Sequence, residues 1–153
     1  MAVRTDVSDL GAHLGFWLRA VSNHVSQAFA AKLEAEGVTV AEWVMLRLLY
    51  EAEAAAPSRL AEQMNMTRGG ITKLASRLVD RSLVLRRASP DDGRGQMLEL
   101  TKAGTELVPR LAFLADSNDA EFFGSLSTAD RQTLERLLKQ IVRASGMPAM
   151  PIE

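Results

Sequence analysis

Apolar residues recur at three- and four-residue steps through the start of the chain: Leu10, Leu14, Trp17, Leu18, Val21, Val25, Phe29 and Leu33. This period predicts an amphipathic helix from about Ser8 to Glu36, stopped by Gly37. Thr39 followed by Glu42 has the form of a capping box and starts a second helix reaching about Ala52. The alanine-rich stretch from Glu51 to Ser58, which holds Pro57, reads as a short loop into a third helix around Arg59–Asn65. Thr67 caps a fourth helix that runs to about Ser82. Two short strands follow, Val84–Ala88 and Gln96–Leu100, around the turn formers Ser89-Pro90-Asp91-Asp92-Gly93. Thr101 caps a fifth helix to about Phe123, where Pro109 predicts a bend because it has no N–H to donate. Ser127 and Asp130 suit the start of a sixth helix ending near Gly146, and the tail MPAMPIE reads as loose. The fold class is therefore mainly α with a small β-hairpin wing, the order of a winged helix-turn-helix.

Charge sharpens this picture. Between Ser58 and Lys102 stand nine Lys/Arg and five acids, a net of +4, while the rest of the chain carries −5. The overall charge of −1 hides a basic module inside an acidic frame, as binding to a phosphate backbone requires. Only eight aromatic residues are present, one Tyr, five Phe and two Trp, which favours duplex over stacked single strands.

On the fourth helix, Ile71, Leu74, Ala75 and Leu78 share one face and should pack on Leu60 and Met64. Gly69, Thr72, Lys73, Ser76 and Arg77 share the other, at about 100° per residue. That second face is small, polar and basic, as a surface pressed into a groove has to be. Gly69 and Gly70 each cost about 1 kcal/mol inside a helix relative to Ala. They would let the backbone approach DNA and aim first-turn amides at a phosphate; alternatively, glycines in a first turn carry no meaning. At the hairpin tip Arg94 stands between Gly93 and Gly95. It suits a narrow minor groove, where negative potential is strongest. Taken alone it reads rather as a surface arginine paired with Asp92, worth at most about 1 kcal/mol.

The segments TRGGITKLASRLVDRSLV and DDGRGQMLELTKAG together resemble the MarR family of bacterial transcription regulators. The wing pattern Asp-x-Arg-Gly followed by Leu-Thr-x-x-Gly falls on Asp92, Arg94, Gly95, Leu100, Thr101 and Gly104. The resemblance spans nearly the whole chain, 1–153, as a single MarR-like domain. It implies a winged helix-turn-helix DNA-binding lobe at 39–101 and dimerisation helices at 8–36 and 102–146, interlocked in a homodimer. It implies a DNA-reading helix starting at Thr67, with Arg94 as the minor-groove arginine of the wing. It also implies a small-molecule pocket between the dimerisation and DNA-binding regions. Cysteine-oxidation sensing cannot operate, since the chain has no cysteine.

Other chemistry is thinly supported. His13 and His24 lie on the first helix without the further ligands that a metal site needs. No Ser/His/Asp order and no Gly-rich phosphate loop appears outside the DNA-reading helix, so neither an enzyme nor a cofactor is expected. No apolar run qualifies as a signal peptide or a membrane span, and a cytoplasmic location is expected. Phe16, Trp17 and Trp43 could line an apolar cleft between helices one, two and five. Arg47 at its rim would suit an aromatic carboxylate. Against this, Arg47 and Glu51 also form an i,i+4 surface pair, and tryptophans commonly serve cores.

The expected function is a sequence-specific regulator of transcription, a repressor bound as a homodimer to a palindromic double-stranded operator and relieved by a small effector. Its DNA contacts would be Thr67, Arg68, Gly69, Gly70, Thr72, Lys73, Ser76, Arg77, Arg94 and Gly95. The alternatives are a helical adaptor whose winged helix binds protein, and a ligand carrier without DNA function.

Overall fold

The computed structural model describes residues 6–89 and 95–147. Six helices are present: α1 (Leu14–Ala35), α2 (Val40–Ala52), α3 (Pro57–Gln63), α4 (Arg68–Asp80), α5 (Lys102–Phe123) and α6 (Thr128–Ala144). Three strands, β1 (Ala54–Ala55), β2 (Val84–Ala88) and β3 (Gln96–Leu100), form an antiparallel sheet in the order β1-β3-β2. The hairpin registers Val84 against Leu100 and Ala88 against Gln96.

Four helices start where hydroxyl residues promised. Thr39, Thr67, Thr101 and Ser127 each accept a hydrogen bond from the backbone N–H three residues on. Each supplies a partner to a donor that the helix itself leaves open. The box at Thr39 is half formed. Glu42 is 5% exposed, and its carboxylate accepts from the Thr39 hydroxyl and from Arg81 Nη1, at 3.2 and 3.0 Å. Arg81 also donates to the Gly37 carbonyl at 2.6 Å. The end of α4 is thereby tied to the α1–α2 corner.

Three expectations require correction. The first helix is not continuous from Ser8. A 3-10 turn at Leu10–Ala12 precedes His13, whose extended backbone caps α1. Gly11 and Gly15 weaken helix on both sides of the break, and Trp17 Nε1 donates to the Gly11 carbonyl at 2.8 Å. The loop after α2 contains a strand, because Ala54 and Ala55 pair with Glu99 and Leu98 on the free edge of β3. The third helix begins earlier than Arg59, with Pro57 in its first turn, where a missing N–H costs nothing. Pro109 stands inside α5, which continues to Phe123.

The core gathers the lobe. Leu46, Leu60, Ile71, Leu74, Leu78 and Leu98 are at most 1% exposed and join α2, α3, α4 and β3. Only the last turns of α1, at Phe29 and Leu33, reach it. Gly104 is buried in the first turn of α5, and a Cβ there would lie 2.2 Å from the Leu83 carbonyl oxygen. Thr101 secures the same junction, its N–H bonded to Leu83 O and its hydroxyl to Ser82 O. The Leu-Thr-x-x-Gly pattern is thus the joint between wing and α5. Further along, Asn118 is 2% exposed; it donates to the Val25 carbonyl at 3.1 Å and accepts from Lys32 Nζ at 3.0 Å. Lys32 also pairs with Glu121 at 2.8 Å, so α1 and α5 are joined by polar bonds as well as packing.

Candidate nucleic-acid interface

A turn at 64–67, with Asn65 in the left-handed region at φ 51°, carries the chain from α3 into α4. Ile71, Leu74, Ala75 and Leu78 are buried, as the helical period required. Thr67, Arg68, Gly69, Thr72, Lys73 and Arg77 are exposed, with Gly70 and Ser76 half-buried beside them.

The two first-turn glycines differ. A methyl group at Gly70 would come within 3.2 Å of Met66 Cε and of Thr67 Oγ1, so its smallness serves the turn. At Gly69 a methyl group would meet nothing within 4 Å, and the space lies open outside the chain.

Six cations of the basic segment fall into two sets. Arg81, Arg87 and Lys102 pair with Glu42, Glu99 and Glu106. Arg68, Lys73 and Arg77 on α4 are exposed, and none pairs with a carboxylate among the described residues. Unpaired guanidinium and ammonium groups on one polar face are what phosphates and base edges engage. Thr72 donates its hydroxyl hydrogen to the Arg68 carbonyl at 2.9 Å. Ser76 accepts from Arg86 Nη2 at 2.8 Å, a partner on β2 that local sequence pattern gave no sign of. The hairpin closes with Ser89 N–H donating to Gly95 O at 2.8 Å. Its tip, with Arg94, lies outside the described residues.

The residues expected around an effector fall in two places. Phe16 and Trp17 stack edge to face at 5.4 Å on the start of α1, with Trp17 56% exposed. Trp43 packs edge to face on Phe29 at 6.3 Å. Trp17 and Phe29 are twelve residues apart on one helix, about 18 Å along its axis. Arg47, one turn beyond Trp43, pairs with Glu51 at 2.7 Å, and its Nη1 is buried without a partner among the described residues. A separate cleft of about 300 Å³, which the sequence did not suggest, opens between Glu36, Arg81, Leu83, Glu106 and Arg110. Both histidines are exposed, and the described residues hold no cluster of three potential metal ligands. No helix among the described residues is long and apolar enough to cross a membrane.

Comparison with known proteins agrees with this geometry. The MarR family model matches residues 38–95. A putative transcriptional regulatory protein for the hcr operon of Thauera aromatica is 32% identical over 135 residues, covering 88% of this chain and 81% of the relative. Among solved structures, a mutant of Escherichia coli MarR complexed with operator DNA is 25% identical, with a TM-score of 0.75, covering 84% of this chain and 93% of that one. CouR from Rhodococcus jostii RHA1, bound to p-coumaroyl-CoA, is also 25% identical, with a TM-score of 0.76 over 88% and 95% of the two chains.

Proposed function

Because this chain belongs to the MarR family, we propose that it is a transcription regulator that binds an operator as a homodimer and answers to a small ligand. The observation that carries DNA binding is the exposed face of α4, where Arg68, Lys73 and Arg77 pair with no carboxylate among the described residues and stand opposite a buried apolar face. In the docked complex α4 lies in the major groove. Thr67, Gly69 and Gly70 approach the backbone there, while Arg68, Thr72, Lys73, Ser76 and Arg77 meet bases and phosphates. Arg94 and Gly95 reach the neighbouring minor groove. The likeness to the operator-bound E. coli structure supports this docking.

The lobe spans 39–101, and the helices on either side, 8–36 and 102–146, join the two copies. Apolar side chains left exposed in one chain support this: Leu14, Trp17, Leu18 and Val21 on α1, Leu138 and Ile141 on α6. Phe16 and Trp17 belong to this surface. Bound across a promoter, such a dimer represses by occlusion. The ligand reading is supported by the CoA thioester in CouR, and here by Trp43 with Arg47, whose buried Nη1 lacks a partner among the described residues. An aromatic acid binding there would release the operator by favouring a spacing that two half-sites, roughly 34–36 Å apart, do not accept.

Selection of bound duplexes from a random library tests the core of this reading. A palindromic consensus is expected. Failure to enrich any sequence, with no retention on heparin, would leave the basic face to a protein partner.

A further inference from the structure

A free serine hydroxyl reads bases poorly, because it holds one donor and two lone pairs and turns to suit either. The chain narrows that freedom at two positions on the outward face of α4. Thr72 gives its hydrogen back to the Arg68 carbonyl at 2.9 Å, which leaves only its lone pairs to bond a further partner. Ser76, one turn on, accepts from Arg86 instead.

Strand geometry makes this second arrangement follow from the fold. Side chains alternate along β2, and Val84 is buried. Arg86, two residues later, emerges on the same side, toward α4, whereas Arg87 emerges on the other and pairs with Glu99 at 3.2 Å. A guanidinium only donates, so Ser76 Oγ must accept from it. Among the described residues this is the only bond of the Ser76 side chain; its hydrogen and one lone pair remain, and accepting from a cation makes the hydroxyl the stronger donor.

We propose that the two hydroxyls are set to opposite polarity, Thr72 as acceptor and Ser76 as donor, and that Arg86 is the positioning residue that sets Ser76. This inference rests on the reading that α4 enters the major groove. Ser76 then favours a base-edge acceptor, purine N7, guanine O6 or thymine O4. Thr72 favours an amino group of adenine or cytosine, or the thymine methyl.

The test takes a duplex selected by the wild-type protein and varies each base pair singly. Binding is measured for the wild type, Ser76→Ala, Arg86→Met, Arg86→Lys and the Ser76→Ala/Arg86→Met double variant. Ser76→Ala and Arg86→Met should lose discrimination at the same one or two base pairs by roughly 2- to 10-fold, the range of one net hydrogen bond. The double variant should lose no more than either alone, and Arg86→Lys, which can still donate to Oγ, should keep most of the preference. An even loss across all duplexes with a shallower salt dependence would make Arg86 a phosphate contact and overturn the proposal while DNA binding stands. Additive losses in the double variant would overturn it equally. If the wild type selects no duplex, the interface itself is refuted at the first step.

Discussion

Gly69 and Gly104 both lie in the first turn of a helix, yet a methyl group meets open space at one and the Leu83 carbonyl oxygen at the other. Gly104→Ala should therefore lower stability by about 1–3 kcal/mol, as overfilling a packed joint does, read as a fall in melting temperature. Gly69→Ala should leave melting unchanged or raise it by virtue of alanine's better helix propensity, while weakening operator binding if DNA occupies that space. The pair separates a glycine needed by the fold from one needed by a partner. At this scale the capping residues were legible, because a cap and its N–H are three residues apart and the signal is local. The bonds Arg86–Ser76, Arg81–Glu42 and Lys32–Asn118 were not. Their partners meet only after the chain has folded, and no spacing in the sequence announces them.

Among the elements, the two hairpin strands and α4 were read to within a residue or two, since they have clear periods and turn or cap signals. β1 escaped because Ala54 and Ala55 have no strand propensity of their own; they are extended only because β3 offers an open edge. The apolar stripe of α1 was read correctly as a helix face, but its period could not say that only its last turns meet the lobe. The Arg81–Glu42 tie gives an element-level prediction. Glu42→Ala removes a buried acceptor from a guanidinium, and a loss of about 1.5–3 kcal/mol in chemical denaturation is expected. Arg81→Ala should cost a comparable amount, and the double variant much less than the sum of the two.

For the whole molecule, cations with no carboxylate partner among the described residues stand on α4, and exposed apolar side chains on α1 and α6. Affinity for the operator should fall roughly 10³- to 10⁵-fold between 50 and 200 mM salt if a dimer neutralises about six to ten phosphates. A nearly flat response would contradict the basic-face argument. Leu14 is 87% exposed and Ile141 53% in the single chain, a liability unless a second copy covers them. Sedimentation at micromolar concentration should find a dimer, and Ile141→Asp should shift it toward monomer; a stable wild-type monomer would overturn the dimer.

The bond pair at Asn118 has a mechanical consequence. One amide grips α1 at two points, the Val25 carbonyl and the Lys32 ammonium, from the C-terminal third of α5. Hydrogen bonds reach only about 3 Å, so sliding α1 along α5 by one turn, about 5.4 Å, leaves neither intact. The two helices are pinned like bars sharing a dowel, and rotation of the pair costs less than shear within it. Under load α1 and α5 would then respond as one bar, which ends at the tight Gly104–Leu83 joint.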